Sequence, residues 1–436
     1  MIKIDRAHIV QSLSTNRVGS YFFQFGLFLL PSSALLGSIF LLSSSFIKPC
    51  HREISFWEDK WNYLLISTAL LMIIGCFHAY SGTLAWLGLA NWIPLFWCFW
   101  GFQPYLRTPD LRRRSAYCLI LGTVPLLITG FGELWLGWDG PWQTFNGLII
   151  WFISAGGEPE GRLSGLFEHA NYAAAWLVVV WPLSLAALIQ PFLNLRKRSF
   201  VFCFVMAVFI ALVMTDSRNG WGGLIFAIPF VLGPINWTWF LPLFFIILLP
   251  IALAVLPGID TGLQELARKI VPKHLWSRLN DMRFVDSRPI EGTRLAQWNV
   301  AFGLIKDKPW FGWGAAAFSV LYPIRKGLWH GHAHNLPIEL AVSHGLLVSI
   351  SIVGMVASLL IIALLRGVLV VNQNRNIDND NLSFDRAWWT STFLLVCFHG
   401  TDMPFFDSRI NLVGWVLLAG LRSLIYSQKL ESRNRA

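Results

Sequence analysis

Long continuous apolar runs alternate along the chain with short polar joints. The runs cover roughly residues 20–45, 62–80, 84–101, 115–135, 171–190, 199–215, 220–235, 238–257, 338–366, 387–402 and 409–427. A helix that crosses the hydrocarbon core needs about 20 mostly apolar residues. Lipid offers no hydrogen bonds to bare backbone, so a spanning segment must be a helix or part of a closed barrel. Continuous rather than alternating hydrophobicity selects helices. The pattern therefore predicts an all-α polytopic membrane protein with about ten to twelve transmembrane helices. The first run holds Pro31. It is either one helix or a re-entrant hairpin divided there, and the two choices place the N-terminus on opposite faces.

Short basic joints set orientation, because Lys and Arg are retained on the cytoplasmic side. Residues 103–114 (QPYLRTPDLRRR), 191–198 (PFLNLRKR) and 428–436 are basic and are expected inside. Counting passes from them places 136–170, the Asp216–Asn219 corner and the stretch 258–337 on the opposite, periplasmic face. Three divisions follow: an N-terminal transmembrane bundle over 1–257, a large periplasmic loop over 258–337, and C-terminal transmembrane helices over 338–436. The loop holds 11 Lys/Arg against 6 Asp/Glu, and a long loop translocates regardless of charge. Within it, 261–279 reads as a short amphipathic helix interrupted at Pro272. Residues 293–305 read as another, with Thr293 as N-cap and a stop at Pro309. Residues 372–386 are polar without periodicity and are expected to form a flexible cytoplasmic loop.

Composition narrows the function classes. Hydrophobic residues make up 55% of the 436 and charged residues only 13%, against about 25% charged in a soluble domain. The net charge of +10 would suggest nucleic acid on a soluble protein. Here much of it lies in short joints and sets orientation, so no nucleic-acid partner is expected and membrane lipids are. Five of the six cysteines, all but Cys50, fall inside apolar runs without a C-x-x-C spacing. They read as small core residues rather than disulfides or metal ligands. The first run has no small-residue cleavage site, so no cleavable signal peptide is expected. No chain of mid-span acids and lysines appears, which argues against an ion-coupled transporter.

Polar residues concentrate on the face opposite the basic joints. Arg218 sits in Thr215-Asp216-Ser217-Arg218-Asn219-Gly220 between two apolar runs. It is either an interfacial arginine reaching for headgroups or an anion clamp oriented by Asp216 and Ser217. Arg294 opens a helix whose N-terminus adds unpaired N–H groups, a combination suited to phosphate; the alternative is a solvated loop arginine. In Trp329-His330-Gly331-His332-Ala333-His334-Asn335, three alternate histidines could face a zinc ion. Alternatively His334, just before an apolar helix, acts as a general base with Asn335 fixing its tautomer or holding substrate. Arg162 and Asn171 frame a further polar segment, or a loop and helix cap. Pro309-Trp310-Phe311-Gly312-Trp313-Gly314 is a glycine turn, not a dinucleotide loop, since the third glycine and a preceding strand are missing.

Together these segments resemble the O-antigen ligase/polymerase family of bacterial membrane glycosyltransferases. The resemblance rests on Arg162-x-x-Gly165-x-Phe167 followed by Asn171, on Ser217-Arg218-x-Gly220, and on Arg294-x-x-x-Trp298 followed by Pro309-x-x-Gly312-x-Gly314. It also rests on His334-Asn335, nine residues, then Gly345, with Val348 where the ligase signature has Gly, Thr or Tyr. It implies a glycosyltransferase C-like fold in the bacterial inner membrane. The implied reaction moves a glycan from an undecaprenyl-pyrophosphate carrier to a lipid or sugar acceptor hydroxyl on the periplasmic face, without metal or other cofactor. The implied catalytic residues are His334, Arg218 and Arg294. Arg162, Asn171, Asn335 and Asp216 are the expected substrate contacts. A polymerase of the same family uses the same donor site. One branch, to which the Trp-rich N-terminal half is similar, carries the label of inorganic-carbon (bicarbonate) transport.

Overall fold

The computed structural model describes residues 16–47, 55–191, 193–279, 292–369 and 379–435. The fold is an all-α polytopic bundle. Its helices, in chain order, are α1 (Arg17–Leu29), α2 (Ala34–Phe46), α3 (Lys60–Cys76), α4 (Thr83–Gly101), α5 (Pro109–Trp135), α6 (Ala170–Leu188), α7 (Leu195–Met214), α8 (Arg218–Leu232) and α9 (Trp237–Val255). Then follow α10 (Thr261–Ile270), α11 (Lys273–Leu279), α12 (Arg294–Asp307), α13 (Ala317–Lys326), α14 (Leu336–His344), α15 (Leu346–Ala363), α16 (Asn379–Thr401) and α17 (Ser408–Arg435). Seven spans among the described residues are long and apolar enough to cross a membrane: α4, α5, α6, α7, α9, α15 and α17. Helices α3, α8 and α16 also run between the two ends of the bundle. The only sheet among the described residues is a hairpin of Trp142–Thr144 with Ile149–Trp151.

The apolar run over 20–45 is divided, and at Pro31. Helices α1 and α2 are 13 residues each, about 20 Å at 1.5 Å per residue. They lie back to back: a Cβ on Gly37 would sit 2.6 Å from the Leu30 Cα, and one on Gly26 would sit 2.7 Å from the Leu41 Cγ. Ser33 restarts the helix by accepting from the Leu36 N–H at 3.2 Å. Trp151 Nε1 donates to the Ser32 carbonyl at the tip, while Tyr105 hydroxyl donates to the Ser44 carbonyl at the foot. The hairpin reading of the sequence is the one the chain adopts.

Buried polar pairs close the basic end. Arg112 is 1% exposed and donates from Nε and Nη2 to the two Asp385 oxygens, each at 2.7 Å. Arg422 pairs with Asp59, both fully buried. Gln190 Nε2 donates to Ser383 Oγ at 2.9 Å. These contacts correct three expectations of loop. Residues 109–114 form the first turns of α5, capped by Thr108 with Pro109 at its first position. Residues 195–198 open α7 under an Asn194 cap. Residues 379–386 are already helical in α16, and 372–378 lie outside the described residues. A cap and a first-position proline start a helix whatever its charge.

The run over 338–366 is also divided, at Gly345. Its φ is +89° and a Cβ there would lie 2.0 Å from the Trp310 carbonyl oxygen. The glycine turn before it docks by backbone hydrogen bonds: Leu346 N–H to the Pro309 carbonyl, Trp313 N–H to Val342 and Gly314 N–H to Ser343, at 2.8–2.9 Å. Gly312 has no room for a side chain either, with the Val342 oxygen 2.6 Å from its would-be Cβ. The helices expected at 261–279 and 293–305 appear as α10 with α11, and as α12; α10 is amphipathic as expected, whereas α12 mixes apolar and polar residues around its circumference, and Thr293 Oγ1 accepts from the Ala296 N–H.

Removing one partner of a buried ion pair leaves an uncompensated charge, at a cost of about 3–5 kcal/mol. Asp385→Ala is expected to destabilise the bundle by that order in denaturant titrations in micelles. Arg112→Met with Asp385→Leu is expected to recover most of the loss.

Candidate functional site

At the end opposite the buried ion pairs, the bundle and the 258–337 segment enclose an open cavity of about 1950 Å³. Arg162, Asn171, Asp216, Arg218, Arg294 and His334 all line it. Six of the seven residues expected from the sequence therefore meet around one space.

The Arg218 side is a corner between α7 and α8. Asp216 takes a left-handed φ of 49°, which turns the chain, and Ser217 caps α8 by accepting from the Gly220 N–H. Arg218 thus begins α8 at the end where N–H groups and the helix dipole favour an anion. Buried Arg278, on α11, clamps the corner. Its Nε lies 3.0 Å from Asp216 Oδ2, and its Nε and Nη2 donate to the Asp216 carbonyl at 3.2 and 3.0 Å. Arg278 was not foreseen: in the sequence it is one of several loop cations, with nothing local to mark it.

The Arg294 side explains its spacing to Trp298. The two are four residues apart and share a helix face. Trp298 Nε1 donates to the Ala333 carbonyl at 2.9 Å, which seats the histidine segment beside the start of α12. The Ala333 N–H donates to buried Glu339 at 3.0 Å. His334 then takes a φ of 50°, a conformation uncommon outside glycine. Asn335 holds the turn: its Oδ1 caps α14 through the Ile338 N–H, and its Nδ2 donates to the Gly400 carbonyl at 2.7 Å. Both halves of its amide are thus engaged in structure, and Asn335 is not part of the cavity wall. The partner expected of Asn335, a group fixing the His334 tautomer, is another residue.

That residue is Asp402, just after the cavity end of α16. Its Oδ1 lies 3.0 Å from His334 Nδ1 and accepts from the Met403 N–H at 2.9 Å. Its Oδ2 accepts from Asn171 Nδ2 at 2.6 Å and lies 3.6 Å from Arg294 Nη2. Burial alone would push this carboxyl up. The hydrogen bond and charge of His334, together with Arg294 and the Met403 N–H, outweigh burial and hold it down at about 2. A carboxylate at Nδ1 places the neutral ring's proton there and leaves Nε2 as the basic nitrogen. The signal available in the sequence was a lone acid where the apolar run 387–402 ends, on the face already crowded with arginines.

Arg162 completes the network. Its Nε donates to the Thr215 carbonyl and its Nη2 to Asn171 Oδ1, both at 2.7 Å. Burial, then the nearby Arg278 charge, lower it to about 10, so it stays cationic at neutral pH. The His332 ring lies edge-on to the His334 ring at 4.3 Å and its Nδ1 accepts from the His334 N–H at 3.2 Å, while His330 packs on the Tyr322 ring and His334 Nδ1 turns to Asp402. Burial and the neighbouring His334 lower His332 to about 4. Among the described residues no three His, Cys, Asp or Glu side chains are grouped to hold a metal ion.

Residues 200–353 match the model of the O-antigen ligase family. No curated protein matches the chain. The family match spans Arg218, Arg294 and His334, while Arg162, Asn171 and Asp402 lie outside it. It supports assignment to the O-antigen ligase family and, in general terms, a ligase or polymerase type of function.

An acid held below its ordinary 3.8 contributes stability that is complete above that value and lost as pH falls through about 2. Unfolding midpoints in micelles are expected to fall between about pH 4 and pH 2, with a shallower fall in Asp402→Ala. An identical slope in that variant would place the acid-sensitive group elsewhere.

Proposed function

We propose that this chain is a metal-independent O-antigen ligase-like glycosyltransferase of the bacterial inner membrane. It moves a glycan from undecaprenyl pyrophosphate to an acceptor hydroxyl on the periplasmic face. The observation that carries the reading is that a hydrogen-bonded Asp402–His334 pair and the arginines Arg218 and Arg294 line one open cavity.

In this reading the acceptor hydroxyl approaches His334 Nε2, which takes its proton as the oxygen attacks the anomeric carbon. The bond from that carbon to the phosphate oxygen breaks, and undecaprenyl pyrophosphate departs with the electron pair. Asp402 stabilises the imidazolium so formed. General-base help of this kind is worth about 10²–10⁴-fold. The departing diphosphate gains charge, which Arg218 and Arg294 at two helix N-termini meet with bidentate donors. Fixed cations aimed at developing charge supply transition-state stabilisation without reorganisation. Arg162 carries a further fixed positive charge beside the donor corner.

The test is transfer by purified protein in liposomes, supplied with undecaprenyl-pyrophosphate oligosaccharide and lipopolysaccharide core. A ligase gives glycan on the core, and a polymerase gives lengthened glycan on the carrier. Either activity is expected to disappear in His334→Ala. It is expected to fall about 10²-fold in Arg218→Lys and Arg294→Lys, since lysine lacks the fork. Unchanged transfer by His334→Ala would remove the general-base assignment. Absence of both products with wild-type protein, with bicarbonate counter-flux in its place, would favour the transport label.

A further inference from the structure

The mechanism above uses His334, Asp402, Arg218 and Arg294, and leaves unexplained why Asn171 lies between Arg162 and Asp402. Asn171 is the second residue of α6, and His169 caps that helix by accepting from the Asn171 N–H. One amide oxygen and one amide nitrogen each make a contact of 2.7 Å or shorter: Oδ1 with the Arg162 guanidinium, Nδ2 with the Asp402 carboxylate. Only one orientation of the amide satisfies a cation on one side and an anion on the other. Arg162 is itself fixed by the Thr215 carbonyl at 2.7 Å, immediately before the Asp216–Arg218 corner.

The chemistry of that arrangement is specific. Arg294 already lies 3.6 Å from Asp402 Oδ2 without a bidentate fit; Arg162 placed directly on the same carboxylate would form a bidentate pair and draw it away from His334. An amide between them transmits a hydrogen bond while keeping the opposite charges one side chain apart. Aspartate at 171 would put two carboxylates in contact. Leucine would match the shape and make neither hydrogen bond.

We infer that Asn171 is a positioning residue for the base: its amide anchors Asp402 through Arg162 to the Arg218 corner, yet leaves the Asp402 charge available to His334. This inference rests on the glycosyl-transfer reading and adds a role for a residue that the sequence offered as a substrate contact or part of a helix cap.

The experiment is the pH dependence of kcat/KM for transfer of undecaprenyl-pyrophosphate oligosaccharide in wild type, Asn171→Leu, Asn171→Asp and His334→Ala, with melting points of each in micelles. The acid limb of the wild-type profile reports protonation of the base. Removing a donor from Asp402 or adding a second carboxylate favours the imidazolium. The acid limb is therefore expected to move to higher pH by roughly one unit in both Asn171 variants. Asn171→Asp provides the test should Asn171→Leu fold poorly. A lowered kcat with an unmoved acid limb in folded variants would overturn the inference and leave Asn171 as a packing residue. Transfer that survives in His334→Ala would instead overturn the general-base reading itself, so the two failures are distinct.

Discussion

The cavity end of this protein is organised by one buried carboxylate. Asp402 accepts from Asn171, from the Met403 N–H and from the His334 ring, with Arg294 beside it. A buried charge is tolerable only when its lone pairs are met, and here the side-chain partners come from three different parts of the chain. Asn171 belongs to α6, Arg294 opens α12, and His334 precedes α14. Asp402 therefore fixes the transmembrane bundle and the large loop to each other at the point where the chemistry is proposed to occur.

The rest of the fold supports that junction from two directions. At the basic end, Arg112 with Asp385 ties α5 to α16, the helix that leads to Asp402, and Arg422 with Asp59 ties α17 to the start of α3. Helix α16 is held by Asp385 at one end and presents Asp402 at the other. At the cavity end, the turn over 309–314 joins α14 by close backbone contact that only glycine permits at 312 and 345. Short α14 is thereby set off from the span that follows it, and His334 is aimed into the cavity instead of along a membrane helix.

Much of this was legible in the sequence because membrane architecture is written in long, low-ambiguity signals. Hydropathy alone gave the helical bundle, and the basic joints correctly separated the two ends. Thr293 as a cap and Pro272 as a break were readable from local chemistry. So was the convergence of Arg162, Asn171, Asp216, Arg218, Arg294 and His334, inferred from their common face and from resemblance. What was not legible depends on tertiary pairing. Asp402 is a single acid 68 residues from His334, Arg278 is one cation among many in its loop, and Arg112 sits in a joint whose charge looked purely topogenic. The role expected of Asn335 passed to Asp402 because a helix cap and a carbonyl contact use both ends of its amide.

The central claim is that the two arginines and the Asp402-supported imidazole act on one lipid-linked diphosphate sugar. The most direct measurement is an experimental structure with a non-hydrolysable undecaprenyl-pyrophosphate sugar analogue bound. The account predicts the diphosphate within hydrogen-bond reach of both Arg218 and Arg294, with the saccharide beside His334 Nε2. A diphosphate seated at the basic end of the bundle, or anywhere outside this cavity, would contradict it.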